Sequence, residues 1–490
     1  MAVIDRRDFL KGAAAAGGAA VLTGGPFAGL IASAANGSVV DLGPLGPVAD
    51  ARDGKVRLWL PDGLSYRSFH DTDGPPIVLD DGSVLAGRHD GMGAFVGSSG
   101  DNVLIRNHEI NGPGAPIGDV ADAYDSMAGG GCTTTVVSDV GEVREAWTSL
   151  NGTMMNCAGG QMPWGAWITC EETVNGPDVG PDFTGVSNVP LTRPHGYIFE
   201  VPTDGVASAE PVTSAGRFPH EAVAFDPDGG ILYMTEDNFA YPSGFYRYLP
   251  PSNPMLTGRL EDGGQLQMLK VAGVDQAHLE GEQVRGTSHP VEWVDIDDPN
   301  PDFPYTPGAT APTTNDQALT YVGNQGRALG AAGFSRLEGQ VFDRGVVYFT
   351  STQGGGAPET GPELSTGYGN GKGQVWGYRP ADQTLTCVFQ SPSSSALDLP
   401  DNVTASNRGT LILCEDGPVE NFIRGLSRKG QLFDIALNRL HRNTAPFAAR
   451  YGEEFAGSTF NQSGKTLYVN IQASQGISFA IWGNWQKLGV

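Results

Sequence analysis

The segment 164-WGAWITCEET-173 has one cysteine beside two glutamates at the end of an apolar run. Cys170, Glu171 and Glu172 could form part of a metal site, supply a nucleophile with its base, or lie together by chance. A buried thiolate next to two carboxylates is stable only where a cation compensates the negative charge. The other residues of either kind of site must come from elsewhere in the chain, so the pattern of the whole sequence decides between them.

A hairpin-like pattern recurs along the chain. Each copy has a polar residue, a short apolar strand, a turn and a β-branched or aromatic strand that ends in polar residues. Six copies are visible, at 89–109, 156–172, 220–237, 338–352, 401–416 and 454–472. Most copies are roughly 60 residues apart, which suits one four-stranded propeller blade with its loops. We therefore predict an all-β protein, a six-bladed β-propeller with loop insertions. A β-sandwich is the structural alternative, but it would not explain the spacing.

One interval between copies is about twice as long as the others. It could contain a seventh blade near 289–297 or a large insertion. The stretch 297–316 is rich in Pro, Asp and Thr and has the composition of a long polar loop. We therefore predict a single propeller domain over 35–490, with an insertion around 240–330.

A propeller brings equivalent positions of successive hairpins together at its central axis, and most polar residues at these positions are acidic. The hairpin starts carry His89, Asp90, Asn156, His220, Glu221, Glu338, Asp401, Asn402 and Glu454, and the ends carry Glu109, Cys170, Glu171, Glu172, Glu236, Asp237, Glu415 and Asp416. So many converging carboxylates would repel one another unless cations compensate them. Oxygen ligands suit Ca²⁺, whereas a thiolate with carboxylates suits a transition metal such as iron. The sequence therefore predicts a metal cluster on the axis.

Arg336 is the one basic residue predicted to lie among these acids, two positions before Glu338. Its guanidinium could pair with a carboxylate of the cluster, or it could form a fork for a phosphate or carboxylate group of a ligand. The sequence contains no GxSxG, HExxH or GxxxxGK[ST] segment. These patterns of nucleophilic, zinc-protease and phosphate-loop chemistry are therefore excluded.

The five cysteines are an odd number, so at least one thiol is unpaired. Cys157, Cys170 and Cys414 stand in strand-like contexts, where a buried free cysteine is the usual interpretation. Cys170 is the exception, because its two acidic neighbours give it a reason to meet a cation.

The N-terminus indicates export. Arg6 and Arg7 precede a weakly apolar run rich in Ala and Gly, and 32-ASA-34 has the small residues of a cleavage site. Residues 1–34 resemble a bacterial twin-arginine signal peptide, which implies the twin-arginine translocase as a partner and a periplasmic or secreted protein. The apolar run is too short to span a membrane stably, so no membrane anchor is expected in the mature form. A net charge of −25 argues against nucleic acid or an anionic membrane surface as a partner.

The combined motifs resemble one known family in order over nearly the whole chain. They are 105-IRNHE-109, 155-MNCAGGQMPWGAWITCEE-172, 217-RFPHEAVAFDP-227, 233-YMTEDN-238, 244-GFYRY-248, 334-FSRLEGQVFD-343, 400-PDNVTASNRGTLILCEDG-417 and 454-EFAG-457. With the twin-arginine start, they resemble the PhoX-type alkaline phosphatases.

This resemblance implies a propeller with two Fe³⁺ ions and Ca²⁺ ions on its axis, linked by an oxo group. It implies hydrolysis of phosphate monoesters, small-molecule substrates, by a metal-bound oxygen as nucleophile. The resemblance implies Cys170 as an iron ligand. It implies that Glu171 and Glu172 complete calcium coordination, and that Asn156 and Arg336 hold the phosphate. The iron and calcium cluster would also use Glu221, Glu338, Asp401 and Glu415.

Two other functions remain open at this point. One is a calcium-dependent propeller hydrolase of lactones or organophosphate esters, a class that usually needs calcium but no thiolate. The other is a metal-binding propeller without catalytic activity. Iron bound together with calcium would distinguish the phosphatase from both.

Overall fold

The computed structural model describes residues 43–97, 100–363 and 365–490. The predicted signal peptide, 1–34, lies outside these ranges. Within them, no helix is long and apolar enough to cross a membrane.

The described residues form short strands and three short α-helices. The strands are β1 (Gly46–Ala49), β2 (Val56–Leu60), β3 (Leu64–Phe69), β4 (His89–Val96), β5 (Asn102–His108), β6 (Gly130–Val137), β7 (Val143–Thr153), β8 (Asn156–Met162), β9 (Ala166–Glu171), β10 (Ile198–Pro202), β11 (His220–Asp226), β12 (Ile231–Glu236), β13 (Phe245–Leu249), β14 (Gln265–Val271), β15 (Ser288–Asp295), β16 (Leu337–Asp343), β17 (Val346–Ser351), β18 (Gln374–Arg379), β19 (Thr384–Gln390), β20 (Pro400–Ala405), β21 (Leu411–Glu415), β22 (Phe422–Leu426), β23 (Leu432–Asn438), β24 (Phe455–Phe460), β25 (Thr466–Ile471) and β26 (Ile477–Gly483). The helices are α1 (Pro254–Thr257), α2 (Asn315–Leu319) and α3 (Tyr321–Ala328).

The hairpin of β11 and β12 illustrates why these segments fold as strands. Both strands are rich in Val, Ile, Phe, Tyr and Thr and are buried on both faces between neighbouring blades. The turn between them closes with a hydrogen bond from Gly230 N to Asp226 O of 2.8 Å. Gly230 has a φ of +67°, which favours a residue without a side chain.

The strands form a propeller of six antiparallel units around one axis, although their joining into sheets differs slightly from the six separate blades that the repeat predicts. The units are β4–β7, β8–β10, β11–β14, β16–β19, β20–β23, and β24–β26 with β3. Strands β2 and β1 extend the fifth unit through pairing of β2 with β23. Hydrogen bonding joins the strands into five sheets rather than six, because β15 pairs with both β14 and β19 and so merges the third and fourth blades.

The six innermost strands close into a ring. In order around the axis they are β4, β8, β11, β16, β20 and β24, and β24 contacts β4. Strand β3, which precedes the first blade in the chain, pairs with β26 and completes the last blade, so an early and a late segment of the chain are joined within one sheet. Small residues allow the inner strands to approach closely: a Cβ on Gly91 would lie 2.6 Å from the Cα of Ala158.

The interval predicted as an insertion, 240–330, contains both blade strands and additional structure. Strands β13, β14 and β15 lie within it, and so do all three helices. The helices α2 and α3 follow the polar loop 297–314, which comes after β15. This late part of the interval supplies residues to the mouth of the axial pocket.

Candidate active site and metal centre

Every innermost strand has a β-bulge near its start. In β4, for example, His89 pairs with His108 and Met92 with Arg106, so the inner strand has one extra residue between these two pairs. The same irregularity occurs in β8, β11, β16 and β20, and in β24 it comes one residue later. A bulge redirects the side chain of the extra residue. In the first five inner strands the second residue falls at the bulge.

We define three rings of equivalent residues at this end of the axis. The inner ring is the second residue of each innermost strand: Asp90, Cys157, Glu221, Glu338, Asp401 and Ala456. The outer ring directly follows the second strand of each blade: Glu109, Glu172, Asp237, Thr352, Asp416 and Gln472. The entry ring directly precedes each innermost strand: Arg88, Met155, Pro219, Arg336, Leu399 and Glu454. Fourteen of these residues line one pocket with a volume of about 710 Å³.

The entry ring has an unusual backbone conformation. Arg88, Met155, Arg336 and Leu399 have φ values of 50°, 46°, 39° and 46°. Positive φ is uncommon for residues other than glycine, and it tends to occur where surrounding structure enforces it at functional sites. Four blades share it, so it belongs to the architecture that turns the chain into the bulged strand.

Two overlapping groups of side chains could each hold a metal ion. The Sγ of Cys157 and carboxylate oxygens of Glu172 and Glu221 all lie within 4.8 Å of one another. Oxygens of Glu221, Glu338 and Asp401 form a second group with the same spacing. Glu221 belongs to both groups, so two ions bound there would be neighbours.

Burial and mutual repulsion disfavour charge on these acids. Burial raises the pKa of Glu221 well above its ordinary value, and Glu338 and Glu172 raise it further. Burial, together with Asp237 and Asp401, has the same effect on the pKa of Glu338. Burial, with a contribution from Asp416, raises the pKa of Asp401 to about 7. These groups become stable carboxylates only where positive charge is brought to them.

The thiol of Cys157 is subject to the same effect. Burial raises its pKa well above the ordinary value, and the neighbouring Glu221 and Glu172 raise it further. The Sγ lies 3.2 Å from the carbonyl oxygen of His220, to which the thiol donates a weak hydrogen bond. A thiolate at this position therefore requires a cation.

Two arginines supply positive charge within the pocket. Arg336 donates from Nε and Nη2 to Asp237, at 3.2 and 2.8 Å, and from Nη2 to Glu338 at 3.0 Å. Burial would lower its pKa, but Asp237 and Glu338 outweigh this and raise the pKa well above its ordinary value. Arg88 pairs with Glu109, and the Arg88 side chain is 41% exposed. The two arginines are equivalent residues of the first and fourth blades, which lie across the axis from each other.

The structure brings together five of the residues predicted from the sequence: Glu172, Glu221, Glu338, Asp401 and Arg336. It does not bring Asn156, Cys170, Glu171 or Glu415 to the pocket. Each of these four is fully or almost fully buried and has partners elsewhere.

Two of the four, Glu171 and Glu415, belong to a set of residues that ends the second strands, which we call the collar. The collar consists of His108, Glu171, Glu236, Ser351, Glu415 and Ile471, and Cys170 comes one residue before it. The carboxylate of Glu171 accepts hydrogen bonds from His195 Nδ1 at 2.6 Å and from the backbone N–H of Gly196 at 2.8 Å. Glu415 accepts from Arg424 Nε at 2.8 Å. These carboxylates hold the loops that follow them.

The side chains of Asn156 and Cys170 are also engaged away from the pocket. Asn156 accepts from Thr153 Oγ1 at 2.6 Å and donates to Thr169 Oγ1 at 3.0 Å. Cys170 lies in a hydrophobic cluster and pairs with Ile198 of the neighbouring strand. Side chains alternate between faces of a strand, so a shift of one residue decides whether a side chain meets the axis or the interior of a blade.

A shift of one residue along the strand also explains why the prediction did not include Cys157. Cys157 stands where Asp90, Glu221, Glu338 and Asp401 stand in the other repeats, whereas the hairpin pattern predicts Asn156 at this position. An alignment of all six inner strands on their second residue identifies Cys157. Five further ring acids at the pocket stand at hairpin starts or ends but are absent from the predicted ligand set: Asp90, Glu109, Asp237, Asp416 and Glu454.

Comparisons with known proteins agree with the fold and the export signal. The family model of alkaline phosphatase PhoX matches residues 140–475, and the model of the twin-arginine translocation signal matches residues 3–23. No curated protein sequence is significantly similar to the chain.

Several solved structures are similar to this chain. PhoX of Pseudomonas fluorescens, in complex with the transition state analogue vanadate, has a TM-score of 0.60 and 17% identity, covering 91% of this chain and 98% of that one. A gluconolactonase of Xanthomonas campestris has a TM-score of 0.39 and 11% identity over 91% of this chain and 100% of that one. Virginiamycin B lyase of Staphylococcus aureus has a TM-score of 0.37 and 10% identity over 86% and 99%.

The fold, the acid-lined axial pocket and a family match over more than half of the chain lead to one conclusion. The protein belongs to the alkaline phosphatase PhoX family, a family of metal-dependent phosphatases, and carries a signal for twin-arginine export.

Proposed function

We propose that the protein hydrolyses phosphate monoesters in the axial pocket, with iron and calcium ions held by Cys157, Glu172, Glu221, Glu338 and Asp401. The observation that carries this proposal is the convergence of nine ring carboxylates and one thiol on a single pocket that contains two arginines. The anionic phosphate of a substrate could enter such a pocket only if cations reversed its charge.

The donor groups are suited to cations. Two ligands of one Ca²⁺ ion lie within about 5 Å of each other, since each metal–oxygen distance is about 2.4 Å. The donor atoms of both groups satisfy this limit. The raised pKa values of Glu221 and Glu338 also support the proposal, because a carboxylate that is costly as a free anion gains most from a bound cation.

The composition of the two groups supports different ions. The group with Cys157 combines a soft thiolate with carboxylates, which favours a transition metal, and the PhoX resemblance implies Fe³⁺. The group of Glu221, Glu338 and Asp401 offers oxygen ligands alone, as Ca²⁺ prefers. The thiol also distinguishes this centre from an all-oxygen calcium site of the lactonase type. We therefore assign the iron ligand to Cys157 in place of Cys170.

Bound cations would supply Lewis-acid polarisation of the phosphate and neutralise its charge. Arg336 would present its guanidinium to the phosphate oxygens, and its bonds to Asp237 and Glu338 hold the planar group in one orientation. A preorganised guanidinium stabilises the additional negative charge of the transition state without a reorganisation cost. Arg88, at the equivalent position across the axis, would contribute a second positive charge. Asn156 keeps the bulged strand β8 in place beside Cys157 and is therefore proposed as a positioning residue.

The proposal is tested with purified exported protein supplied with both ions. We expect hydrolysis of p-nitrophenyl phosphate, with most activity at alkaline pH, and elemental analysis that finds iron together with calcium. Metal-replete protein that does not release p-nitrophenol would contradict the proposal. Calcium without iron, combined with lactone hydrolysis, would instead favour a calcium-dependent propeller hydrolase.

A further inference from the structure

The axial pocket has more room than a phosphate group requires. Its volume of about 710 Å³ is in the range of cavities that hold whole organic molecules, roughly 300–1,000 Å³. The three rings occupy its deep end, and a different set of residues forms its mouth. The alcohol part of a phosphate ester would therefore lie against the mouth.

Three segments form this mouth: the loops 181–183 and 238–240, and 314–319, which contains α2. Hydrogen bonds connect the first and third segments, since Gly180 N donates to Thr313 O at 2.8 Å and Asn315 Nδ2 donates to Asn175 Oδ1 at 3.3 Å. The second segment is also anchored, because Phe239 O accepts from the backbone N–H of Tyr368 at 2.7 Å. The mouth is thus built from segments with defined positions.

Two aromatic rings at the mouth are exposed. Phe183 is 88% exposed and Phe239 is 49% exposed, which is unusual for large apolar side chains. The guanidinium of Arg336 lies 5.5 Å from the centre of the Phe239 ring. This contact places Phe239 next to the proposed phosphate-binding group, so an ester held by Arg336 would bring its alcohol part close to the ring.

The charges at the mouth are negative. Asp182 accepts hydrogen bonds from Asn111, Asn175 and Thr184. Burial alone would raise the pKa of Asp182, but these hydrogen bonds outweigh burial and hold the pKa below its ordinary value. Asp316 interacts with Tyr241 and faces the same pocket. The three mouth segments contain no lysine or arginine. An anionic alcohol group would be repelled here, whereas carboxylates beside aromatic faces attract organic ammonium groups.

We propose that the mouth selects phosphate monoesters whose alcohol carries a positive charge, such as those of amino alcohols and quaternary ammonium alcohols. This selectivity rests on the proposed phosphatase function. The deep cations would bind the phosphate, while Phe183, Phe239, Asp182 and Asp316 would bind the ammonium end. The two ends of such a substrate have opposite charges, as do the two parts of the metal-loaded pocket.

The test compares the kcat/KM of metal-replete enzyme for three phosphate esters. They are phosphocholine, its neutral isostere 3,3-dimethylbutyl phosphate, and the anionic ester 3-phosphoglycerate. We expect phosphocholine to exceed the neutral ester by about tenfold, the combined scale of one cation–π contact and nearby carboxylates, and 3-phosphoglycerate to be the poorest. Raising the ionic strength should reduce the preference, because the mouth is open to solvent.

Substitutions at two exposed residues of the mouth test its role without disturbing the fold. Asp316→Asn and Phe183→Leu should each lower the ratio of phosphocholine to neutral-ester kcat/KM severalfold. Asp204→Asn, the same charge change at an exposed position outside the pocket, should leave the ratio as in the wild type. Equal kcat/KM for the charged and neutral esters, with p-nitrophenyl phosphate hydrolysed normally, would overturn this inference alone. No hydrolysis of any ester would overturn the proposed function and the inference with it.

Discussion

Glu171 and Glu172 are adjacent in the chain, but their surroundings differ completely. Glu171 belongs to the collar, where His195 and three backbone N–H groups satisfy its carboxylate. Glu172 belongs to the outer ring, where burial, with Asp237 and Glu109, raises its pKa well above the ordinary value. The collar therefore contributes to stability, and the rings contribute to the proposed chemistry. In the second, third and fifth blades, an acidic collar residue and an acidic outer-ring residue are adjacent at the end of the second strand.

The largest expected effect is that of Glu221→Gln, because Glu221 belongs to both groups of potential metal ligands. An amide has a weaker donor atom and no negative charge, so both ions should be held less tightly. We expect phosphatase kcat/KM to fall about 10³-fold or more, a loss of transition-state stabilisation of roughly 4 kcal/mol. Activity close to that of the wild type at saturating iron and calcium would remove Glu221 from the centre.

Arg336→Ala should lower kcat/KM by roughly 10²-fold, the usual loss when one preorganised charge-stabilising group is removed. The fold and the metal content should persist, because the cations still compensate the acids. Arg336→Lys should recover little activity, since an ammonium group cannot reproduce two parallel N–H bonds. If Arg336 served only as an ion-pair partner of Asp237 and Glu338, stability would fall and the KM of the surviving enzyme would stay unchanged.

The pair Glu171→Gln and Glu172→Gln separates the collar from the rings. Glu171→Gln should lower the free energy of unfolding by about 1.5–3 kcal/mol, the usual worth of a hydrogen bond between charged groups, because it leaves the buried His195 with Asp125 as its one remaining carboxylate partner. Glu172→Gln should leave the stability of the metal-free protein unchanged or higher while it lowers activity. Urea unfolding and p-nitrophenyl phosphate hydrolysis of both variants provide the measurement. A Glu171→Gln variant that loses activity but not stability, together with a Glu172→Gln variant that loses stability but not activity, would contradict the comparison.

Metal removal should produce a pH-dependent stability that arises from the rings. The pKa of Asp401 is raised to about 7 in the folded protein without bound ions, from 3.8 in the unfolded chain. The folded state therefore binds this proton more tightly, and the resulting stability is present at low pH and is lost as the pH rises through about 7. Chelator-treated protein should be less stable at pH 8 than at pH 5, by on the order of a few kcal/mol. Asp401→Asn should reduce this dependence, and added calcium should oppose it. A chelated protein that gains stability over this pH range would contradict the account.

The sequence predicts the repeat of hairpins well, but it predicts less well which residue of each inner strand faces the axis. Six hairpins with regular spacing predicted six blades, and the acids at their ends predicted one acid-rich axis. Cys157 was missed and Cys170 favoured because a thiol beside Glu171 and Glu172 is a conspicuous local pattern, whereas 156-NCAGG-160 resembles an ordinary buried strand. The bulge that points Cys157 at the axis depends on pairing between strands. It has no local signal apart from the alignment of all six repeats.

The merging of two blades was also beyond the sequence. Strand β15 pairs with its neighbour β14 and also with β19, which lies far from β15 in the chain. The sequence likewise did not indicate that the loops 181–183 and 238–240 would join α2 at one mouth. These contacts depend on the order of blades around the ring, which becomes defined only when the ring closes.

The most direct test of the central claim is the iron and calcium content of Cys157→Ala and Cys170→Ala. Both variants lose one buried thiol from the same region, so they control for each other's effect on packing. The account predicts that Cys157→Ala loses iron and phosphatase activity, and that Cys170→Ala keeps both ions at wild-type stoichiometry. Iron retained in Cys157→Ala but lost from Cys170→Ala would contradict the account and restore Cys170 as the ligand.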